Sequence, residues 1–120
     1  MAVSWAPSGR DIAIEEDLGG FKRVIWIVNL TDRSKRKTIE YTCMPRWGGL
    51  DYSPNGEYLV YAALADDHHQ LFKIKLSDLT NTQLTHQEKE CFHPQVSPDG
   101  THIVCSVYDH LKSIYKADLR

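Results

Sequence analysis

The turn Ser97-Pro98-Asp99-Gly100 recurs in the same chain as Ser53-Pro54-Asn55-Gly56 and as Ala6-Pro7-Ser8-Gly9. Pro54 lies 47 residues after Pro7, and Pro98 lies 44 residues after Pro54. A repeat of this length is one unit of a propeller or solenoid rather than a whole domain. Pro presets φ for the turn, and Gly accepts the positive φ that leads into the next strand. We therefore assign structural turns to Pro7, Gly9, Pro54, Gly56, Pro98, Asp99 and Gly100.

Each turn is followed, three residues after its glycine, by a short unbroken apolar run. These runs are Ile12-Ala13-Ile14, Leu59-Val60-Tyr61 and Ile103-Val104-Cys105. Near-continuous hydrophobicity is typical of a strand that is buried on both faces. A second apolar segment follows in each unit, with an aromatic residue in its second position: Trp26, Phe72 and Tyr115. We expect these aromatics to pack between units rather than to form a ligand platform.

Each unit is predicted to contain four antiparallel strands, which we call A to D from the middle outward. The fourth segment is more polar, as residues 37–41 and 82–85 show, which is typical of an outermost strand. The chain begins at strand A of the first unit and stops after strand C of the third, so eleven strands are expected. The predicted fold is all-β, in a single domain 1–120 with units at 1–46, 47–90 and 91–120, the last of them incomplete.

With the repeat laid out, the chain resembles the TolB-type β-propeller, a WD-repeat-like family. The third unit carries the resemblance best, through Val96-Ser97-Pro98-Asp99-Gly100 and Ile114-Tyr115-Lys116-Ala117-Asp118-Leu119. The first unit departs from it, because a basic Lys35-Arg36-Lys37 stands where the family has a short glycine turn. The resemblance implies propeller blades but does not select a function, because such blades occur in translocation proteins, serine peptidases and sugar lyases.

The number of blades predicts a partner. Propellers close with about four to eight blades, and this chain holds three. An open array leaves two apolar faces in water, each of roughly 500 Å². Either two copies form a homodimer that closes a six-bladed ring, or the remaining blades belong to a longer chain. We favour the homodimer.

Composition is that of an ordinary globular module, with 42% hydrophobic residues, 25% charged residues and a net charge of −2. The basic run Arg33-Ser34-Lys35-Arg36-Lys37 is expected to be a solvated turn between strands C and D, because it lacks interleaved aromatics. The longest apolar stretch, Val24 to Val28, is far shorter than a membrane span. We therefore expect neither nucleic acid nor membrane as a partner. As written the chain would be cytoplasmic, or periplasmic or secreted if a leader has been removed.

The three cysteines are Cys43, Cys91 and Cys105, and we expect them to be reduced. Cys105 lies in an inner strand, where Ile14 and Tyr61 lie in the other units. It is therefore predicted to act as a small core hydrophobe. The sequence contains no CxxC or zinc-finger spacing.

Five of the six histidines are predicted to share one end of the blades, where the B-to-C loops and D-to-A connections emerge. We call this end the loop face, and its histidines are His68, His69, His86, His93 and His110. The residues predicted to bind a partner there are Trp47, Asp66, Asp67, His68, His69, His93, Asp109 and His110. Trp47 is expected to cap the mouth of the channel.

These residues could also form a metal site, because imidazole and carboxylate suit manganese or zinc. If a metal binds, its ligands would come from His68, His69, His93 and His110. Against this, adjacent side chains of a strand point to opposite faces, and His93 before Pro94 is explained by an extended entry into strand A. We therefore assign neither a metal nor a cofactor.

The sequence contains no nucleophile elbow, phosphate loop or other catalytic motif. A non-enzymatic scaffold that binds a protein or peptide is the preferred function. One alternative is a metal-dependent propeller enzyme of the sugar lyase or hydrolase type, or a small-ligand binder, that uses the histidine-rich face. The other is a fragment of a larger propeller without a function of its own.

Overall fold

The computed structural model describes residues 2–108 and 113–119 of the chain. No helix in this part of the chain is long and apolar enough to span a membrane. The strands are β1 (Val3–Trp5), β2 (Asp11–Gly19), β3 (Lys22–Asn29), β4 (Lys35–Thr42), β5 (Leu50–Tyr52), β6 (Tyr58–Ala65), β7 (His68–Lys75), β8 (Asn81–Gln83), β9 (Glu90–Val96), β10 (His102–Tyr108) and β11 (Ser113–Asp118).

The strands form three antiparallel sheets, one for each sequence repeat. Their orders are β1-β2-β3-β4, β5-β6-β7-β8 and β9-β10-β11, and we call these sheets blade 1, blade 2 and blade 3. Each blade runs from its inner to its outer strand in chain order. The predicted all-β fold of antiparallel blades is therefore confirmed, with three strands in the described part of the third blade.

The three repeated turns have the same geometry. In each of them the glycine N–H donates to the carbonyl oxygen three residues earlier at 2.9 Å, from Gly9 to Ala6, from Gly56 to Ser53 and from Gly100 to Ser97. The glycine φ angles are 72°, 75° and 74°. Because this left-handed region strongly favours glycine, the turn explains the repeated residue.

The Asp99 carboxylate adds to the third turn. It accepts hydrogen bonds from the Ser97 hydroxyl at 2.7 Å and from the Thr101 N–H at 3.0 Å. These bonds hold the pKa of Asp99 well below its ordinary value, because they stabilise the charged carboxylate.

Blade 2 is packed between the other two blades. One of its faces contributes Leu59 and Tyr61 to a core shared with blade 1, and the opposite face contributes Val60 and Ala62 to a core shared with blade 3. As a result β6 is buried on both faces. In β10 buried and exposed residues alternate. In the single chain only blade 2 therefore has the predicted burial on both faces, and each end blade has one covered face.

Cys91 and Cys105 form a disulfide between β9 and β10, which corrects the expectation that both are reduced. Cys91 is paired in register with Val107, next to Cys105 on the same face of β10. The Cα atoms of the two cysteines lie 5.9 Å apart, within the range that a disulfide bridges. Cys43 is a free buried thiol, and burial raises its pKa to about 12.

The basic run is placed differently from the prediction. Arg33 and Ser34 precede the strand, whereas Lys35, Arg36 and Lys37 are the first residues of β4. Lys35 in β4 lies over the ring of Trp26, 4.3 Å from its centroid. Lys35 therefore makes a cation–π contact with the neighbouring strand β3.

Candidate functional site

Four of the predicted loop-face residues lie at the hairpin between β6 and β7. His68 and His69 are the first residues of β7, paired with Ala65 and Leu64. The prediction that they lie in a loop is therefore wrong, because the hairpin turn consists only of Asp66 and Asp67. Both aspartates are exposed to solvent.

The two histidines converge on one carboxylate, that of Glu90 at the start of β9. The Nδ1 atoms of His68 and His69 each lie 2.8 Å from a different oxygen of this carboxylate. The backbone N–H of His69 also donates to it, at 3.1 Å. The side chains of His68 and His69 were expected to point to opposite faces of the strand. Both rings nevertheless reach the Glu90 carboxylate of blade 3, because they lie at the first two positions of β7.

The His69 ring is neutral in this arrangement, and both of its nitrogens are engaged. Its Nε2 accepts a hydrogen bond from the backbone N–H of Met44 at 3.0 Å, so the ring proton is on Nδ1 and is donated to Glu90. The side chain is only 1% exposed. His69 therefore joins blade 2 to the connection after blade 1 and to blade 3, and neither nitrogen is open to a metal.

Glu90 remains charged in this setting. Burial alone would raise the pKa of Glu90, but the hydrogen bonds from His69 and His68 outweigh burial and lower this pKa. The side chain of His68 is 40% exposed, so the outer edge of the pair is open to solvent.

Trp47 covers the histidine–glutamate pair, in the connection between β4 and β5. Its ring stacks on His69 with centroids 5.7 Å apart, and it meets the edges of Phe92 and Tyr108 at 4.8 Å and 5.1 Å. Tyr108 is 53% exposed. The loop face thus presents an aromatic surface beside a charged carboxylate, and we call Trp47, His68, Glu90, Phe92 and Tyr108 the aromatic–acidic patch.

His93 lies apart from this pair in its bonding and in its backbone. Its φ is 51°, so the expected extended entry before Pro94 is wrong. Its backbone N–H donates to the Gly48 carbonyl at 2.9 Å, and this bond at the irregular register of β9 holds the unusual conformation. The His93 side chain is exposed.

Within residues 2–108 and 113–119, no group of three or more His, Cys, Asp or Glu side chains is arranged to hold a metal ion. His68 and His69 are brought together on Glu90, whereas His93 bonds elsewhere. Asp109 and His110, which were also predicted for the loop face, lie outside the described residues.

A buried ion pair between β2 and β3 was not predicted. Arg23 Nη1 lies 3.2 Å from Glu15 Oε1, and the two side chains are 10% and 1% exposed. The Tyr41 hydroxyl donates to the other Glu15 oxygen. Burial and the charge of Glu15 raise the pKa of Tyr41 far above its ordinary value. The sequence signal for this pair is Glu15. It is a charged residue two positions after Ala13 and therefore on the same buried face of β2.

The chain passes close to this pair at Gly48 and Gly49. A Cβ atom at Gly48 would collide with Arg23 Nη1, and one at Gly49 would lie 2.7 Å from the Cα of His93. Gly49 also has a φ of +125°. The two glycines therefore allow the first connection between blades to pass between Arg23 in blade 1 and His93 in blade 3, beside an open cavity of about 230 Å³.

No family model and no curated protein sequence matches the chain. Solved structures do match. TolB from Acinetobacter baumannii gives a TM-score of 0.80 at 17% identity, over 98% of this chain and 29% of that chain. A putative TolB from Agrobacterium tumefaciens gives 0.81 at 16% identity, over 97% of this chain and 44% of that chain. An oligogalacturonate lyase in complex with manganese gives 0.72 at 19% identity, over 97% and 34%.

At these identities the likeness concerns the fold, and the chain spans less than half of the length of each of these proteins. The strand order, the packing of one sheet on the next and these matches agree with one another. The described residues therefore have the fold of three β-propeller blades, similar to those of the TolB structures.

Proposed function

We propose that this chain is a non-enzymatic propeller module whose loop face binds a protein or peptide partner. The observation that carries the proposal is the aromatic–acidic patch. It combines the half-exposed ring of Tyr108, the edge of His68 and a charged carboxylate at one end of the blades. Tyrosine and tryptophan side chains are enriched at protein-binding surfaces, where polar groups form the rim.

The bonding of the histidines also supports a binding surface over a metal centre. Both ring nitrogens of His69 are engaged inside the protein, and the Glu90 oxygens are bonded to the two histidines. A metal would have to break these bonds before it could be held. The network serves instead to join the blades and to fix the position of Trp47 through the stacked His69 ring.

The binding proposal is tested by selecting ligands from a random peptide display library against the purified chain. The dissociation constants of selected peptides are then measured for the wild type and for Tyr108→Ala. We expect at least about tenfold weaker binding for this variant, the effect of removing an aromatic anchor. The matched control is Tyr58→Ala, which removes a tyrosine near the opposite end, close to the turn Ser53–Gly56. Peptides that bind both variants as they bind the wild type would contradict the proposal.

A metal-dependent enzyme is the second candidate, and the likeness to a lyase in complex with manganese favours it. Calorimetric titration with Mn²⁺ or Zn²⁺ distinguishes the two functions. Tight binding that is lost in His68→Ala or His93→Ala would support the enzyme. Heat changes no larger than those of dilution would contradict the metal-dependent enzyme.

The third candidate is a segment of a larger propeller without its own function. It is favoured because the chain spans only 29% and 44% of the length of the two TolB structures. It predicts a heterogeneous, aggregating species in sedimentation. A defined species that binds selected peptides would contradict it.

A further inference from the structure

The contacts between neighbouring blades follow a rule that repeats along the chain. The glycine of each turn lies against the proline of the preceding turn: a Cβ built on Gly56 would lie 3.7 Å from Pro7 Cδ, and one built on Gly100 would lie 3.6 Å from Pro54 Cδ. At Gly9 no atom of the described residues lies within 4 Å of the same position. Gly9 is the first glycine of this series, and no proline of a preceding turn packs against it in the described residues.

A hydrogen bond between inner strands repeats in the same way. The side chain three residues before each proline accepts from the backbone N–H two residues before the next proline. Ser4 Oγ accepts from Tyr52 N at 3.3 Å, and Asp51 Oδ2 accepts from Val96 N at 2.8 Å. The next acceptor in this series is the side chain of Gln95, which is exposed.

The next donor in the series is also present in this chain, at Trp5. Successive N–H groups of a strand point to opposite edges. Because the Ala6 N–H donates to Asp11 O beside β2, the Trp5 N–H points to the other edge of β1. Trp5 is 64% exposed, whereas Tyr52 at the same position of blade 2 is 7% exposed.

The two open faces of the end blades match the two covered faces of blade 2. Val104 corresponds to Val60, and their exposures are 42% and 0%. Ile12 and Ile14 in blade 1 correspond to Leu59 and Tyr61, which are fully buried. Within the chain, Val60 of blade 2 packs in one core with Ile103 and Cys105 of blade 3. In the repeat, Ile103 and Cys105 correspond to Ile12 and Ile14 of blade 1.

We propose that the occupant of both open faces is a second copy of this chain, placed by two-fold symmetry. Blade 3 of each copy packs on blade 1 of the other, Gln95 accepts from the Trp5 N–H, and Gly9 lies against Pro98. The second copy is favoured because this chain carries both halves of each contact. Two copies supply six blades, within the about four to eight that close a ring.

The area is sufficient for such a dimer. With roughly 500 Å² on each of four faces, closure buries about 2,000 Å², which is the size of a stable interface. The contact is reciprocal, as two-fold symmetry requires, because each copy offers the same pair of faces to the other.

The test measures the mass of the purified chain by sedimentation, with variants of the two faces. We expect the wild type at twice the chain mass, and Val104→Asp and Ile14→Lys at the mass of one chain. Leu79→Asp is the matched control, because Leu79 is 43% exposed but lies in the turn before β8. It should remain a dimer. Mixing Val104→Asp with Ile14→Lys should restore a dimer, because one contact is then wild type and the other brings opposite charges together.

A milder variant keeps the test independent of misfolding. Gln95→Ala removes one hydrogen bond at each of the two contacts and should weaken the dimer by about 10- to 100-fold, with an unchanged circular dichroism spectrum. Several results would overturn the proposal: a wild-type monomer at micromolar concentration, a dimer that Val104→Asp leaves intact, or polymers that grow with concentration. A monomer would indicate that other blades fill this place.

Discussion

Arg23→Met should cost this protein about 3 to 5 kcal/mol of its free energy of unfolding, which is the cost of removing one partner of a buried ion pair. Arg23 lies 3.2 Å from Glu15, whose side chain is 1% exposed. Methionine fills much of the volume of the arginine stem but leaves the Glu15 carboxylate without its countercharge. The Tyr41 hydroxyl remains as a donor to that carboxylate, so the loss should fall at the lower end of the range.

The assay is urea denaturation followed by the fluorescence of the three tryptophans, at one fixed protein concentration. Lys22→Met is the control, because Lys22 is an exposed neighbour in the same strand, and it should change the free energy by less than about 0.5 kcal/mol. The double variant Glu15→Leu with Arg23→Met removes both charges. It should lose about 1 to 3 kcal/mol, the cost of leaving the buried Tyr41 hydroxyl without an acceptor.

The double variant distinguishes a charge effect from a packing effect, because it leaves no unpaired charge in the core. A cost of less than about 1 kcal/mol, the typical worth of a surface ion pair, would refute the reasoning. So would a double variant that loses as much as both single changes added together, because the two charges would then act independently.

Three further predictions concern the contacts between and within blades. Gly49→Ala should destabilise the protein by about 1 to 3 kcal/mol, because the new Cβ would lie 2.7 Å from His93 Cα and φ is positive; a thermal melt like that of the wild type would contradict it. Reduction of Cys91–Cys105 should lower the free energy of unfolding by about 3 kcal/mol, the value for a loop of similar length, and no change with reductant in a urea titration would argue against the bond. The stability advantage of the wild type over Glu90→Gln should be complete at neutral pH and fade below about pH 4. This follows because the pKa of Glu90 is lowered in the folded state, so its contribution is lost as pH falls through that value; an advantage that is constant down to pH 2 would contradict this.

Each of these variants has a control in the same chain. Gly20→Ala also has a positive φ, of 60°, but no atom of the described residues lies within 4 Å of the new Cβ, so it tests a positive φ without the steric contact. Cys43→Ser tests a thiol that is not in the disulfide. Glu88→Gln removes an exposed carboxylate two residues before Glu90 and should show no such pH dependence.

The repeated turns were predictable because their chemistry is local. Proline at the second position and glycine at the fourth select one backbone conformation, and all three glycines have the expected positive φ. The spacing of these turns and the apolar runs after them were sufficient to predict three antiparallel blades. The apolar runs themselves did not indicate how much of each strand is buried, because β6 and β10 have similar sequences but different neighbours.

The candidate site was predicted only as a set of loop residues. That His69 would bond Glu90 and Met44 depends on three segments from different blades and connections. Arg23 and Glu15 are eight residues apart and meet across a hairpin, so their pairing depends on the register of β2 and β3.

By itself the sequence determined the kind of strand, the turn chemistry and the number of blades, because these depend on residues within a few positions of one another. Only the tertiary structure decided that Cys91 and Cys105 are bonded, that His69 is neutral and enclosed, and that Gln95, Gly9 and Trp5 lie on open faces. The physical reason is that each of these properties depends on distances between segments, and such distances are set when one blade packs on the next.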